Sequence, residues 1–262
     1  FTVGGHPITV NGDVVNTRAE QKVGDSSIYS FTTSNYLSIA QNDDFNFAGN
    51  DFTIECWVRF DGTDWQYFYG SHGATGSSRQ FLWAIGSGEM EFYYYYVDGG
   101  GYAEQGVTAT WVPSTDTWYH IAVCRDSTDF RMFVDGTEIG STHDIGTRVL
   151  QNSGYELTMG VLRNTGGNIS HPVDGYLDEL RISNSARYTT TFTPQTTEFT
   201  SDIYTLLLIH SNWDGGFGAD SSGNGNAFDS VNLVATDSMK DSPTNNFSTW
   251  NPIIKTYGTT TF

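Results

Sequence analysis

The sequence predicts an all-β protein of the sandwich or barrel type, and three observations lead to that prediction. Short runs of β-branched and aromatic residues, several of them alternating with polar residues, recur along the chain. Turn-forming segments separate these runs, and the chain has 29 glycines against 6 prolines. No long stretch carries apolar residues at the i, i+3, i+4, i+7 spacing of an amphipathic helix.

The strands can be assigned in chain order from these runs. They are Tyr36–Ile39, Phe52–Phe60, Gln80–Ile85, Met90–Val97, Tyr119–Cys124, Phe130–Val134, Glu156–Val161, Gly175–Ile182 and Tyr204–His210. The sharpest turn signal is the Asp135-Gly136 pair between Phe130–Val134 and Thr137–Ile139, which predicts a two-residue β-hairpin. Cys56 and Cys124 fall inside predicted strands, and we interpret them as two buried thiols. A single bridge between neighbouring strands is the alternative.

Composition excludes several classes of partner. Lys and Arg number 12 while Asp and Glu number 30, so the formal net charge is −18. Nucleic acid and anionic membrane surfaces are therefore disfavoured, because both require a basic patch. No apolar run approaches the roughly 20 residues of a membrane-spanning helix, so we expect no membrane insertion. Because the chain begins with Phe1, we expect a processed product or a piece of a longer chain.

Three segments of the chain carry a family pattern in a fixed order and spacing. They are Ser34–Phe60, Thr117–Gly140 and Val173–Pro194. Together they resemble the laminin-G-like, concanavalin A-like jelly-roll family over roughly residues 8–194. The resemblance implies an antiparallel two-sheet jelly-roll sandwich. We assign residues 1–210 to the jelly roll, with Tyr204–His210 either completing it or opening the next module, and residues 211–262 to an irregular extension, a linker or the start of a following module.

The C-terminal region resembles segments of large bacteriophage structural proteins. Thr205–Phe228 looks like the opening strand and loop of a further jelly roll, and Asn232–Pro252 resembles a connector between such modules. The resemblance implies a non-catalytic fibre protein on the virion surface, which adheres to host-surface glycans or assembles with other virion or fibre subunits. A secreted bacterial adhesin, and so an extracellular location, is an alternative.

The extension is polar, yet it contains apolar residues that a solvated linker would not need. They are Phe217, Phe228, Leu233, Met239, Phe247, Trp250, Ile253, Ile254 and Tyr257. We therefore expect it to pack onto another copy or a following module. A homo-oligomer follows from the first arrangement, and a trimer is suggested by analogy with phage fibres only.

An enzyme of the same family is the alternative from another class, because related jelly rolls include glycoside hydrolases. Those enzymes carry two or three carboxylates at alternating positions of one strand. Glu89-Met90-Glu91 lacks a third acid at the required spacing, and the adjacent Asp178 and Glu179 are expected to point to opposite faces. There is no Gly-x-Ser-x-Gly element and no closely spaced histidine pair, so we predict that the protein is not an enzyme. For His120 we expect a packing or hydrogen-bonding role.

Calcium is the cofactor that the resemblance implies. The family often ligates a structural Ca²⁺ through the acid of its late Asp-Gly-Tyr-Leu-Asp-Glu-Leu strand, which is Asp178 in this chain. The alternative is a strand aspartate bonded to nearby backbone N–H groups. Asn35 stands where the family usually has Asp, which removes one charge near the early loop.

Aromatic residues are the candidate glycan-binding groups. Exposed indole and phenol rings on a sheet can stack on sugar rings, whereas the competing interpretation is core packing or a protein interface. The candidates on or beside the central strands are Trp65, Tyr67, Trp83, Tyr93, Tyr95, Tyr102 and Trp111. Within Glu89–Val97, alternation predicts one exposed set and one buried set. The exposed set is Glu91, Tyr93 and Tyr95, and the buried set is Met90, Phe92, Tyr94 and Tyr96.

Overall fold

The computed structural model describes residues 7–73, 75–98, 100–163, 168–212, 220–224 and 228–229. All of them belong to one unit, Phe1–Val231, and the second unit, Asn232–Phe262, lies outside the described residues. The described part is built from strands and contains no α-helix, only two short 3₁₀ helices at Asp43–Phe45 and Gly76–Ser78. No helix among these residues is long and apolar enough to span a membrane.

The first of two large sheets, sheet 1, has eight strands. In spatial order they are β18 (Phe228–Asp229), β1 (Ile8–Asn11), β4 (Tyr36–Ile39), β13 (Leu157–Met159), β6 (Gln66–His72), β7 (Arg79–Gly86), β8 (Glu89–Asp98) and β9 (Gly101–Thr110). Neighbouring strands are antiparallel except that β18 pairs with β1 in parallel.

The second sheet, sheet 2, also has eight strands, all antiparallel. Seven follow the order β12 (Thr137–Asp144), β11 (Asp129–Val134), β10 (Trp118–Asp126), β5 (Phe52–Phe60), β16 (Gly175–Ser183), β3 (Ser27–Tyr29) and β2 (Val15–Thr17). The eighth, β17 (Thr205–Ile209), pairs with β16, so the Tyr204–His210 run completes this sandwich. A small hairpin, β14 (Leu162–Arg163) with β15 (Ile169–Ser170), stands apart.

Alternation along the strands builds the core between the sheets, as predicted. In β5 the apolar residues Phe52, Ile54 and Val58 are fully buried in the main hydrophobic cluster. The predicted buried set of β8 lies in the same cluster. Aromatic rings join the two layers, since Phe52 of sheet 2 lies 6.0 Å from Phe92 of sheet 1. Each such side chain contributes roughly 1.5–3 kcal/mol by leaving water. The all-β two-sheet sandwich is therefore confirmed.

The predicted hairpin forms between β11 and β12. Asp135 and Gly136 both have positive φ, 48° and 76°, which is the backbone of a type I′ turn. A Cβ at position 136 would collide with the carbonyl oxygen of Phe192, so only glycine fits this turn.

The two cysteines are free and buried. Cys56 lies in the main core, whereas Cys124 is on the opposite face of sheet 2, with its Sγ 3.3 Å from Thr53 Oγ1. Burial raises the pKa of the Cys124 thiol to about 12. Both thiols are thus neutral packing groups, and the interpretation as unbridged buried cysteines is confirmed.

Candidate functional site

Aromatic side chains line the outer face of sheet 1, on the side away from the core. Strands β7, β8 and β9 pair residue against residue, so alternate residues of each strand reach this face. Tyr93 of β8 lies across from Gly106 of β9, and a Cβ at position 106 would press into the Tyr93 ring. The absence of a side chain at Gly106 therefore leaves room for the Tyr93 ring to lie flat on the sheet.

Trp65 and Tyr67 extend this row across the sheet. Their ring centroids are 6.4 Å apart with an interplanar angle of 24°. The Trp65 ring lies over Gly86 of β7, where a Cβ would collide with it. Tyr67 and Tyr93 pack against the same small apolar cluster, which contains Leu82. Gly86 and Gly106, which have no Cβ, thus leave room for the Trp65 and Tyr93 rings to lie against the sheet.

Tyr95 and Tyr102 form the other end of the row. Tyr95 is only 5% exposed, and the Arg79 guanidinium lies 5.5 Å from its ring centroid. Arg79 also lies 3.8 Å from the carboxylate of Glu104. Burial and the charge of Glu104 raise the pKa of Tyr95 to about 12. Tyr102, at 58% exposure, lies beyond Glu104 on the same face because β9 alternates.

Glu91 is the half-buried acid of this face. Within the described residues its carboxylate forms neither an ion pair nor a hydrogen bond, and the same holds for the Tyr67 and Tyr93 hydroxyls. Burial, and then the negative charge of Glu89, raise the pKa of Glu91. No described residue therefore competes with an external ligand for these groups. We call Trp65, Tyr67, Glu91, Tyr93, Tyr95 and Tyr102 the aromatic face.

Two predicted candidates lie elsewhere. Trp83 is fully buried in the core, with its ring 5.3 Å from Phe68, because odd-numbered residues of β7 point inward. Trp111 is half-buried against the core, 5.2 Å from Tyr119 and 6.0 Å from Phe60. The expectation of an exposed ring is therefore wrong for Trp83, and it is also wrong for Tyr95, which lies on the outer face but is only 5% exposed. Trp111 does not join the other five rings.

The opposite outer surface, on sheet 2, is covered by the chain itself. Residues 184–203, which we call the strap, cross the central strands of that sheet. Tyr188 and Phe192 of the strap pack on Phe133, and Phe199 packs on Trp57. An ion pair between Arg187 and Asp202, at 2.8 Å, joins the two ends of the strap.

Beneath the strap lies a buried charged cluster centred on Glu55. Its Oε1 accepts from Arg181 Nε at 2.7 Å, and its Oε2 accepts from His120 Nε2 at 3.0 Å and from the Tyr188 hydroxyl at 2.8 Å. Burial alone would raise the pKa of Glu55, but the His120 hydrogen bond and the Arg181 charge outweigh it and lower the pKa to about 2. The hydrogen-bonding role predicted for His120 is confirmed.

Asp178 is fully buried on the same side of sheet 2. Its Oδ2 accepts from the backbone N–H groups of Lys22 at 3.0 Å and Val23 at 2.9 Å, and its Oδ1 accepts from Glu179 N at 2.8 Å. A cation requires oxygen ligands around it, whereas these neighbours present N–H donors. No group of three or more His, Cys, Asp or Glu in the described part could hold a metal ion. The residues around Asp178 therefore do not fit Ca²⁺, and they match the alternative of a backbone-bonded aspartate.

Glu179 does not point away from Asp178, contrary to the sequence prediction. The pairing of β16 with β5 shifts register between Asp178 and Arg181, and Glu179 has a φ of +51°. Its carboxylate accepts from Phe199 N at 2.6 Å and from His210 Nδ1 at 2.8 Å. The bulge thus places both acids on the outer side of sheet 2.

A sequence comparison assigns much of the chain to one family. A family model described as the concanavalin A-like lectin/glucanases superfamily matches residues 31–191. No curated protein sequence matches the chain.

Solved structures resemble the chain at low identity. A Bacteroides ovatus protein assigned to carbohydrate binding is 15% identical, with a TM-score of 0.48 over 80% of this chain and 52% of its own, so the chain spans about half of it. The Ruminococcus gnavus IT-sialidase CBM40 bound to alpha2,3 sialyllactose is 15% identical, with a TM-score of 0.45 over 55% of this chain and 80% of its own. The structure named HCR/D-Sa-GBL1/C is 13% identical, with a TM-score of 0.50 over 69% of this chain and 44% of its own.

Proposed function

The chain belongs to the concanavalin A-like lectin/glucanases superfamily, and on that basis we propose that it is a non-catalytic, lectin-like module that binds glycans on the aromatic face. The observation that carries the proposal is the row of rings on the outer face of sheet 1 with Glu91 among them. Flat rings pack on the C–H faces of sugars, while a carboxylate and phenol hydroxyls bond the sugar hydroxyls. Both kinds of contact are available side by side on this face.

In the fuller form of the proposal, the module belongs to a fibre or other virion-surface protein. There it adheres to host-surface glycans or assembles with other subunits of the appendage, as a homo-oligomer. The resemblance of Asn232–Pro252 to a connector in phage structural proteins supports this form. Most of the apolar residues expected to pack in the C-terminal extension lie outside the described residues. A secreted adhesin would use the same aromatic face.

Glycan binding can be tested by removing one ring. We expect Tyr93→Ala to weaken binding about tenfold or more, because central aromatic anchors carry a large share of binding energy. Tyr204 is 48% exposed and lies off the aromatic face, so Tyr204→Ala is the matched control. A glycan array identifies ligands, and calorimetry then compares the variants. Equal loss in both variants, or no loss in either, would contradict the assignment of the site.

Hydrolysis is the second candidate, and one observation favours it. Glu89 and Glu91 alternate on the same face of β8, and the raised pKa of Glu91 is a property of a general acid. Release of reducing ends from polysaccharides, abolished by Glu91→Gln, would establish an enzyme. Binding of intact glycans without such release supports the module proposed above.

A further inference from the structure

We infer that the aromatic face selects uncharged, hydroxyl-rich glycans and rejects anionic ones, with Glu91 as the group that accepts hydrogen bonds from the ligand's hydroxyls. This inference rests on the proposed function and names its ligand class. It comes from the charges that surround the rings, which are distributed unequally along the row.

Acidic groups dominate the aromatic face. Glu89, Glu91 and Glu104 occupy alternate outer positions of the β8–β9 pair. Glu89 and Glu91 form no ion pair within the described residues. The part of the row that contains Tyr67 and Tyr93 therefore carries two uncompensated carboxylates.

The two nearby arginines are engaged already. The Arg79 side chain is 18% exposed, and it lies over the Tyr95 ring and 3.8 Å from Glu104. Arg163 lies next to the row through β14 and pairs with Glu156 at 2.7 Å. An anionic sugar would have to break one of these contacts to pair with a guanidinium, and it would still face Glu91.

Glu91 has the geometry of an acceptor for hydroxyl donors. It is half-buried on the same outer face as Tyr93, two residues along β8, and it lies in register with Tyr67 across Ala84 of β7. A ligand stacked on those rings covers Glu91 and removes part of its water. A sugar hydroxyl replaces the lost hydrogen bond, whereas a sulfate or carboxylate group offers no donor and adds a like charge.

The size of the discrimination follows from Coulomb's law. The effective dielectric constant near a protein surface is about 20 and that of water is about 80. At an intermediate value of about 40, a like charge about 6 Å from the ligand's charge weakens binding about tenfold. Added salt screens this term, so the ratio should shrink as ionic strength rises.

The test uses two ligand pairs whose members differ only by a sulfate group: lactose with lactose 3′-sulfate, and N-acetyllactosamine with N-acetyllactosamine 6-sulfate. Calorimetry is run at about 20 mM and about 500 mM salt, where the screening lengths differ severalfold. We expect the neutral member of a bound pair to bind about tenfold tighter at low salt, with a smaller ratio at high salt. Glu89→Gln should reduce that ratio, because it removes one charge and leaves Glu91 in place.

Glu138→Gln, on β12 of sheet 2, makes the same change in net charge away from the aromatic face and should leave the ratio unchanged. Equal or tighter binding of the anionic members would overturn the selectivity while glycan binding stands. If none of the four ligands binds at millimolar concentration, the proposed function fails for these glycans, and the inference falls with it.

Discussion

Replacing Glu55 by glutamine tests whether the charged cluster under the strap stabilises the fold. The substitution keeps the size of the side chain but leaves one amide oxygen as acceptor. The new amide nitrogen would face at least one of the donors that now bond the carboxylate, from Arg181, His120 and Tyr188. Arg181 would remain buried without its counter-ion, which is the costly part of breaking such a pair.

The magnitude follows from the pKa of Glu55. Folding lowers it from 4.5 to about 2, and each unit corresponds to about 1.36 kcal/mol, so the ionised carboxylate contributes about 3 kcal/mol. Because Glu55 is fully buried, solvent screening does not reduce this figure. Removing one partner of a buried ion pair costs about 3–5 kcal/mol in other proteins. We therefore expect Glu55→Gln to lose about 3 kcal/mol of unfolding free energy at neutral pH.

The pH dependence gives an independent check. A carboxylate whose pKa is lowered by folding contributes stability above its unfolded pKa and loses it as the pH falls through its folded pKa. The difference between wild type and Glu55→Gln should therefore be full at neutral pH and shrink as the pH falls from 4.5 towards about 2.

Urea unfolding followed by tryptophan fluorescence measures both quantities, with Glu138→Gln as the control for a change of net charge. A loss below about 1 kcal/mol at neutral pH, the range of exposed ion pairs, would refute the reasoning. So would a difference that stays constant as the solution is acidified.

Three further predictions concern other parts of the chain. We expect the same melting temperature in EDTA and in excess CaCl2, because backbone N–H groups already occupy the Asp178 carboxylate; a calcium-dependent rise that vanishes in Asp178→Asn would restore the metal site. Gly136→Ala should lower the melting temperature of the protein clearly more than Gly146→Ala does, since both glycines have positive φ but only position 136 lacks room for a Cβ; equal shifts in calorimetry would contradict this. Light scattering should show an oligomer for the full chain and a monomer for a chain ending at Val231, the last residue of the first unit; two monomers would mean that residues 232–262 do not drive assembly.

The strands that sequence could predict are those whose two faces differ most. Phe52–Phe60 and Met90–Val97 alternate cleanly, and the hairpin at Asp135-Gly136 has the residues its turn requires. Strand β9 was missed because it lies at the edge of sheet 1 and most of its residues remain partly exposed, so it lacks a buried face. Strand β6 was missed because a register shift between Tyr67 and Tyr69 breaks its alternation.

The candidate site was predictable only in part, because sequence gives a residue's neighbours along one strand but not across strands. Parity within β8 places Tyr93 and Tyr95 on one face, and the same alternation within β7 points Trp83 inward. The bulge at Glu179 overturns the prediction that the adjacent Asp178 and Glu179 point to opposite faces of the sheet. The contact between Glu55 and His120 joins residues 65 positions apart, and only the pairing of β5 with β10 brings them together.

The strap makes the two outer faces of this domain different, because it covers sheet 2 and not sheet 1. Because residues 184–203 cover the centre of sheet 2, its central strands present no second row of rings in the described part of the chain. If the aromatic face binds glycans as proposed, this part of one copy has a valency of one there. If the individual glycan contacts are weak, firm attachment to a cell surface depends on how many copies are held together and at what spacing, since linked sites gain avidity without any new contact.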